Sequence, residues 1–382
     1  MDQRKRILLV EGSGRGFLCH YAHALGLGLA GMHHDVLLMT GGRDELAHWH
    51  VPFAKQSCMP DGHASWRCLI RAVREFRPDV VHFQWIGQPL AATAFVTWAR
   101  GHGIRVVYTP HNVLPHRGRW LLTPAYRLFY RSVDAVVARD RNIAWGLEEI
   151  LDVGKDRIIH LPGSPNLMAL PGVPGTWAPD LPPKKADERW LLYFGHGSGR
   201  KGLPLLLQAL QDDCPRNARL VIAGEGVLAG VEAEALSALQ GVVPVTVVDR
   251  YIQPSEVAEL FRAADLLVMP YVKQCRSPLL ELAQAFHLPV LRSDRVEAGR
   301  FVDGIHGFTV PAQDALALAV GVRAALAGDR LATVRQALRR EESAVAGIQR
   351  LAAGHHRLYE ALTEGLAAQG KTVAGLAEIS HA

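Results

Sequence analysis

The sequence predicts an α/β protein with two doubly wound domains facing across a cleft. Short runs of Val, Ile and Leu alternate with longer helical patterns, which is typical of parallel sheets covered by helices on both faces. The alternation occurs twice and is interrupted by residues 162–183, which hold seven of the 22 prolines. The 382 residues also exceed the ~250–300 that a single core usually reaches.

The first series of elements predicts a domain over residues 1–165. Its expected strands are 6–12, 34–41, 79–85, 104–112, 133–139 and 157–163. Its expected helices are 17–31, 68–76 and 91–100. Nearly every strand position is apolar, so we expect these strands to be buried on both faces.

A linker over residues 166–188 and a second domain over 189–331 follow. The expected strands of this domain are 189–195, 218–226, 243–252, 264–271, 288–294 and 307–312. Its expected helices are 203–211, 254–264 and 278–286. The Ala-rich, charged segment 332–382 is predicted to be helical and able to cross back to the first domain.

Composition excludes several classes of protein. Hydrophobic residues make up 49% and charged residues 21%, which argues against extensive disorder. The longest apolar runs fall far short of the ~20 residues of a membrane span, and the four-residue run near the start is too short for a signal-peptide core. Five cysteines without a CxxC pair predict free thiols and a cytoplasmic protein.

The net charge of +5 lies in the first half of the chain. Residues 1–170 contain 20 Lys and Arg against 14 Asp and Glu, whereas residues 171–382 contain 22 against 23. A basic half suits an anionic membrane surface, an anionic substrate or nucleic acid, but an Arg-rich solvated surface explains it equally well. No nucleic-acid motif is present, so we expect no nucleic-acid partner.

Two basic segments of this half have the composition of a membrane-facing surface. Residues 115–131 interleave arginines with Trp, Phe, Tyr and Leu, as interfacial amphipathic helices do. A second stripe consists of Arg67, Arg71, Arg74 and Arg77. Peripheral contact with an anionic membrane and an ordinary half-buried helix remain equal alternatives.

Candidate binding residues in the first domain follow its strands. Gly14, Arg15 and Gly16 lie in the loop GSGRG between the first strand and first helix, where glycines allow close backbone approach to a ligand. A tight structural turn is the alternative. His111 and Asn112 end the strand IRVVYTPHN, where His111 suits proton transfer or a sugar hydroxyl. A buried, satisfied histidine is its alternative.

In the second domain the candidates favour a diphosphate. Arg200 and Lys201 precede a helix after the first strand, so fixed cations lie close to a helix N-terminus. Ser277 is a good N-cap before Pro278, and Glu281 falls in the first turn of that helix. Its carboxylate suits ribose hydroxyls, while first-turn N–H groups, including those of Leu279 and Leu280, suit phosphate or sugar oxygens. A surface charge pair and a carboxylate that only complements the helix dipole are the alternatives.

The metal-binding motifs DxD and HExxH and the phosphate loop GxxxxGK[ST] are missing from the sequence. We therefore expect no cofactor and no metal. A departing nucleotide would be neutralised by cations and helix ends.

Several motifs together resemble the GT-B glycosyltransferases of the large retaining family 4. They are YFGHGSGRKGLPLLLQAL, LVIAGEG, PSEVAELFRAADLLVMPY, PLLELAQAFHLPVLRSD and DGIHGFTVP, with DVVHFQW and TPHN matching more loosely. The resemblance spans nearly the whole chain and is strongest over residues 190–312. Each motif is weak alone, but their order and spacing are specific.

The resemblance implies roles for these residues. Arg200 and Lys201 would hold the donor diphosphate, and Glu281, as the second Glu of the family's E-x7-E motif, would bind the ribose. The backbone around Tyr251 and Ile252 would contact the base.

In the first domain, the resemblance implies that His111 contacts the transferred sugar and that Gly14 and Gly16 lie under the donor phosphates. The sequence departs from the family in having His196 after the first glycine and Lys273 in place of the first Glu. Gln274 or Ser277 would then supply neutral hydrogen bonds to the sugar.

The expected function is transfer of a hexose from a nucleoside-diphosphate sugar to a hydroxyl of a glycolipid or glycan acceptor, with retention at the anomeric carbon. The alternatives are a catalytically weak scaffold subunit and a sugar-nucleotide epimerase or hydrolase on the same fold. The expected location is cytoplasmic, with peripheral contact at the inner face of the cell membrane as an option.

Overall fold

The computed structural model describes residues 4–59, 66–115, 119–161, 166–171, 173, 175–297, 301–341 and 343–364. The chain divides into two compact units. Unit 1 comprises Met1–Leu167 and Val345–Ala382, and unit 2 comprises Met168–Ala344. Residues 116–118 of the predicted amphipathic segment and residues 365–382 at the end lie outside the described residues.

The strands alternate with helices along the chain. The strands are β1 (Arg6–Val10), β2 (Asp35–Gly41), β3 (Ala54–Met59), β4 (Val80–Phe83), β5 (Arg105–Tyr108), β6 (Ala135–Ala138), β7 (Ile158–His160), β8 (Arg189–Phe194), β9 (Ala218–Ala223), β10 (Val245–Val248), β11 (Leu266–Met269), β12 (Cys275–Arg276), β13 (Val290–Ser293), β14 (Val296–Glu297) and β15 (Gly307–Val310). The helices are α1 (Gly16–Gly31), α2 (Trp66–Phe76), α3 (Pro89–Gly101), α4 (Arg119–Ser132), α5 (Arg141–Trp145), α6 (Leu203–Asp212), α7 (Ala233–Gln240), α8 (Pro254–Ala263), α9 (Pro278–Ala285), α10 (Ala315–Leu326), α11 (Arg330–Leu338) and α12 (Ala344–Thr363).

Unit 1 is built on a parallel sheet with the strand order β3-β2-β1-β4-β5-β6-β7. The central strand β1 pairs with β2 on one side and β4 on the other, with Ile7 opposite Val36 and Val80. Its apolar side chains are buried in separate clusters on the two faces of the sheet, as expected for a parallel sheet covered by helices.

Strand β3 was not predicted from the sequence. It pairs with β2 at the edge of the sheet and carries Lys55 and Gln56. Polar residues are common on edge strands because they discourage pairing with other chains, but they also remove the apolar signal on which the prediction depends.

Unit 2 repeats the arrangement with the strand order β10-β9-β8-β11-β13-β15, again parallel. In each unit the first strand lies between two neighbours, so the strand order reverses beside it: β8 pairs with β9 and β11. The prediction of two doubly wound, Rossmann-like sheets is confirmed. Ligands of such sheets bind beyond the carboxyl ends of the strands where the order reverses.

The C-terminal segment forms two helices rather than one. Helix α11 belongs to unit 2, whereas nearly all of α12 belongs to unit 1. Leu351, Ala352 and Tyr359 of α12 are buried in the same cluster as residues of α1. Gly28 of α1 allows this close packing, since a Cβ atom there would lie 2.5 Å from the Cβ of Ala352.

The prediction that all five cysteines are free thiols is wrong, because Cys68 is disulfide-bonded. Cys19 and Cys214 remain thiols. A disulfide requires only that two cysteines meet in space, which the absence of a CxxC pair does not exclude. Among the helices described, none combines the length and the apolar character needed to cross a membrane.

The contact between α1 and α12 predicts the effect of a single methyl group. We expect Gly28→Ala to lower the free energy of unfolding by about 1–3 kcal/mol, because the new methyl group overlaps Ala352 and forces the helices apart. Urea denaturation measures the change. Gly31→Ala at the end of the same helix is the control, because nothing lies within 4 Å of its added Cβ. Equal stability of the two variants would contradict the packing.

Candidate active site

Neighbouring strands of unit 1 place polar side chains at their carboxyl ends. Glu11 follows β1, Gln84 follows β4, His111 comes three residues after β5, and Arg139 follows β6. Because these strands are parallel and adjacent, the side chains share one edge of the sheet.

His111 is held between Gln84 and Arg139. Its Nδ1 atom lies 2.6 Å from Nη1 of Arg139, and its Nε2 atom lies 3.1 Å from Oε1 of Gln84. A guanidinium can only donate, so Nδ1 accepts and Nε2 carries the proton that is donated to Gln84. Burial, and then the charge of Arg139, hold the pKa of His111 well below its usual value. The imidazole is therefore neutral at physiological pH.

Aromatic rings of α1 pack against His111. The ring centroids of Phe17 and Tyr21 lie 5.4 and 5.0 Å from that of His111, both in edge-on geometry. The Arg139 guanidinium lies 4.6 Å from the centroid of Phe17, within the range of a cation–π interaction. Arg139 was missed from the sequence, where its only signal was a basic residue directly after a buried strand.

The glycine loop of unit 1 is closed around a buried carboxylate. Glu11 Oε1 accepts from the backbone N–H groups of Ser13 at 2.5 Å and Gly14 at 3.0 Å, and Oε2 accepts from Thr40 Oγ1 at 2.9 Å. Burial raises the pKa of Glu11, and these hydrogen bonds oppose part of that shift. Gly14 has φ +66°, a left-handed conformation that glycine adopts without strain.

A second carboxylate caps the start of α1. Glu45 Oε1 accepts from the N–H group of Gly16 at 2.5 Å and lies 2.8 Å from Nε2 of His20. Arg15 is exposed, and its N–H group donates to Ser13 Oγ at 3.1 Å. The amides proposed to face donor phosphates thus already donate to oxygens of the protein. Asn112 is exposed beside His111.

One group of side chains in unit 1 has the ligand types of a metal site. The group consists of Cys19, His23 and Asp44. Each contributes one potential ligand atom, and these three atoms lie within 4.8 Å of one another. The Lys55 ammonium donates to Asp44 Oδ2 at 2.8 Å and to the Leu46 carbonyl at 2.7 Å. Because a cation of the protein already neutralises this carboxylate, the group anchors the loop after β2 rather than offering a metal site.

In unit 2, glycines bring the turn after β8 against the segment after β11. Gly202 has φ +75°, and a Cβ atom there would collide with the Pro270 carbonyl. The N–H group of Val272 donates to the Arg200 carbonyl at 2.9 Å. These contacts place Arg200 and Lys201 at the point where the strand order reverses.

Neither cation has an ion pair with any residue in the described part of the chain. Arg200 is exposed and Lys201 is half-buried. A Cβ atom at Gly195 would lie 2.8 Å from Nζ of Lys201, so the ammonium lies over the end of β8. Burial, and then the charge of Arg200, lower the pKa of Lys201. Two adjacent cations without a carboxylate partner form a site prepared for an anion.

Helix α9 begins beside this site. Ser277 is its N-cap, and Ser277 Oγ accepts from Leu279 N at 3.4 Å and lies 3.2 Å from the Tyr271 hydroxyl. Leu280 is buried, and Glu281 occupies the first turn. The structure therefore brings Ser277 and Glu281 to the same sheet edge as the cations. Gln274 is exposed and its amide donates to Glu297 Oε1 at 3.1 Å.

Tyr251 and Ile252 follow β10, two strands from β8 on the same edge. Ile252 is buried. Arg250 fixes this segment, because its guanidinium donates to both carboxylate oxygens of Glu256, each at 2.8 Å. This support was not predictable from the sequence, since the ion pair is recognised only once α8 is placed.

Comparison with protein-family models gives two matches that together span most of the chain. Residues 188–328 match the model described as "Glycosyl transferases group 1", and residues 20–163 match "Glycosyltransferase Family 4". The chain is a group 1 glycosyltransferase of the family 4 type. No curated protein matches this glycosyltransferase.

Solved structures share its fold at low sequence identity. A glycosyltransferase from Rickettsia africae is 16% identical with a TM-score of 0.70, covering 94% of this chain and 98% of its own. HepE from Anabaena in complex with UDP is 16% identical with a TM-score of 0.60, covering 95% and 99%. A UDP-GlcNAc 2-epimerase from Neisseria meningitidis bound to UDP-GlcNAc is 13% identical with a TM-score of 0.60, covering 92% and 99%.

Buried histidines connect α12 of the glycosyltransferase to the strands that carry its unit 1 pocket. His82 of β4 lies 2.6 Å from the Tyr359 hydroxyl and 2.7 Å from Thr109 Oγ1. His355 lies beside His82 and donates from Nδ1 to the Leu351 carbonyl at 2.8 Å. Burial lowers the pKa of His355 to about 4.

This shift predicts acid sensitivity. Below the ordinary histidine pKa of about 6.5, the unfolded chain binds a proton that native His355 does not, so stability falls as the pH falls from about 6.5 toward 4. Between pH 7.5 and pH 5, we expect the free energy of unfolding to fall by roughly 1–2 kcal/mol less in His355→Phe than in the wild type. Urea titrations at both pH values measure it. The control His160→Gln replaces an exposed histidine and should show the same fall as the wild type. A fall in His355→Phe as large as that of the wild type would contradict the assignment.

Proposed function

We propose that this glycosyltransferase moves a hexose from a nucleoside-diphosphate sugar to a hydroxyl of a lipid-linked or polysaccharide acceptor, with retention at the anomeric carbon. The observation that carries the proposal is the pair Arg200 and Lys201, which lack ion pairs within the described residues and lie where the sheet order of unit 2 reverses. The related fold of HepE in complex with UDP supports a nucleotide donor.

Electrostatics gives these cations their role. As the sugar leaves, negative charge grows on the departing nucleoside diphosphate, and fixed positive groups stabilise that charge more strongly in the transition state than in the ground state. The N-terminus of α9 adds its partial positive charge. These groups supply the neutralisation that a metal provides elsewhere, so we expect a reaction that needs no metal or other cofactor.

The nucleoside would bind to the same edge of unit 2. Glu281, in the first turn of α9, suits the ribose hydroxyls because a carboxylate accepts two hydrogen bonds. The backbone of Tyr251 and Ile252 would contact the base, and the Arg250–Glu256 ion pair keeps that backbone in place. Ser277 would bind phosphate or sugar oxygens, and the amides of Leu279 and Leu280 would do so in exchange for their present bonds to Ser277 at 3.4 and 3.2 Å.

In unit 1 we assign His111 a hydrogen-bonding role rather than that of a charged acid, because its imidazole is neutral. Beside it, Nε2 of the buried Gln84 has no hydrogen-bond partner among the described residues. An unpaired buried donor is unfavourable until a ligand oxygen reaches it. The Gln84 N–H group suits a sugar hydroxyl, and His111, whose two ring nitrogens are paired with Arg139 and Gln84, would hold that amide in place. Asn112 and the loop carrying Gly14, Arg15 and Gly16 border the same edge.

The acceptor would be presented at a membrane surface. Leu121 and Leu128 of α4 and Trp145 of α5 are 63%, 52% and 62% exposed, and α4 also carries Arg127 and Arg131. Helix α2 adds the exposed Arg67, Arg71 and Arg74. Apolar and aromatic side chains among cations favour the headgroup region of anionic lipids, and they support peripheral association.

A sugar-nucleotide epimerase or a hydrolase is the second candidate, favoured by the shared fold of the UDP-GlcNAc 2-epimerase. Product analysis in the absence of acceptor separates these reactions. An epimerised nucleotide sugar or rapid release of free sugar would replace our proposal, whereas an unchanged donor would exclude both of these reactions. A scaffold subunit with little activity should bind none of a panel of nucleotide sugars, which isothermal titration calorimetry tests.

We expect the double variant Arg200→Ala/Lys201→Ala to bind UDP or GDP at least tenfold more weakly, because each charged hydrogen bond contributes about 1.5–3 kcal/mol. Isothermal titration calorimetry measures the affinity, and thermal melting verifies the fold. Lys185→Ala, an exposed lysine elsewhere in unit 2, is the matched control. Undiminished nucleotide binding by the double variant would remove the diphosphate assignment.

We expect the double variant Leu128→Gln/Trp145→Gln to lose flotation with vesicles of phosphatidylglycerol, because two large apolar side chains no longer enter the headgroup region. The control is Leu316→Gln, which replaces a leucine of unit 2 that is 73% exposed. Two results with the wild type would contradict contact with anionic lipid. One is equal flotation with vesicles of phosphatidylcholine and of phosphatidylglycerol, and the other is no flotation with either.

A further inference from the structure

A third cation lies with Arg200 and Lys201 beyond the carboxyl ends of the unit 2 strands, where we place the nucleotide-sugar donor. Lys273 is exposed and has no ion pair with any residue in the described ranges. We infer that Lys273 selects a donor whose sugar carries its own negative charge, a hexuronic acid rather than a neutral hexose. This inference rests on the proposed function, since it concerns the sugar attached to the same diphosphate.

The backbone places Lys273 beside the two other cations. The preceding residue, Val272, donates its N–H group to the Arg200 carbonyl at 2.9 Å. Its carbonyl accepts from Nε2 of Gln313 at 3.1 Å. A Cβ atom at Gly202 would lie 3.3 Å from Val272, which shows how closely the two segments pack. The backbone that carries Lys273 is therefore held by hydrogen bonds from Val272 to Arg200 and from Gln313 to Val272.

The charges at this edge favour an additional anionic group. The pyrophosphate of a nucleotide sugar carries two negative charges, which Arg200 and Lys201 match. Glu281 adds one negative charge at this edge, but its carboxylate is placed for the ribose hydroxyls, so neither the pyrophosphate nor a neutral hexose, whose hydroxyls need only neutral donors and acceptors, requires the Lys273 ammonium. A carboxylate on the sugar forms a charge-assisted hydrogen bond with an ammonium, about twice as strong as a neutral one.

One N–H group of the neighbouring side chain is already in use. Gln274 has the amide that would suit a sugar hydroxyl, but its nitrogen donates to Glu297 of β14 at 3.1 Å. The sequence resemblance expects a glutamate where Lys273 stands. An acid there would repel a uronic acid, whereas a lysine attracts it, so this exchange reverses the charge that the pocket prefers.

Two matched pairs of donors test the inference by isothermal titration calorimetry. UDP-glucuronic acid and UDP-glucose differ only at C6, as do GDP-mannuronic acid and GDP-mannose. We expect the wild type to bind the uronic acid of one pair at least tenfold more tightly than the neutral sugar. Lys273→Ala should bring the ratio close to one, Lys273→Glu should invert it, and Lys185→Ala should leave it unchanged.

The outcomes separate the two proposals. If neither UDP, GDP nor any of the four sugars binds, the proposed function and this inference both fall. If UDP or GDP binds but the neutral sugar equals or exceeds its uronic acid, only the inference is overturned. It is also overturned if the wild type prefers the uronic acid but Lys273→Ala keeps that preference. Affinity for free UDP and GDP should change little in either Lys273 variant, because Arg200 and Lys201 hold the diphosphate.

Discussion

The constraint on which this structure depends is the burial of two parallel sheets on both faces. A strand such as β1, with every residue from Ile7 to Val10 buried, can present polar groups only where it ends. The reversal of strand order beside β1 and β8 then separates the following loops and leaves room between them. Glu11, Gln84 and the Arg200–Lys201 pair all follow strands next to these reversals.

In unit 2, close backbone contacts hold the loops at this edge of the sheet in fixed positions. Gly202 and Gly224 have positive φ angles, and a side chain at either would strike a backbone carbonyl. Any other residue at Gly202 would push the turn after β8 away from the segment after β11, and any other residue at Gly224 would push the loop after β9 away from the end of β8. Lys201 is half-buried and has no carboxylate partner among the residues that the structure describes, so burial opposes its charged form and the arrangement favours ligand binding at the expense of local stability.

The buried strands and the two-sheet plan were predictable because they depend on runs of apolar residues such as RILLV. Edge strand β3 was not, because Lys55 and Gln56 interrupt its apolar pattern. The position of Arg200 and Lys201 after β8 was predictable because both the motif and the preceding strand are local. The partners of the glycine loop were not, because Glu45 reaches Gly16 from 29 residues away and only the folded chain brings them together.

This difference in partners separates two loops that look alike in the sequence. Both GSGRG and HGSGRKG follow the first strand of a doubly wound sheet. In unit 1, the amides of Ser13 and Gly14 already donate to Glu11, so an incoming phosphate would meet a carboxylate. In unit 2, the same position offers Lys201 over the end of β8. This electrostatic difference supports our proposal that the diphosphate binds at unit 2, while the Gln84 amide of unit 1 suits an uncharged hydroxyl.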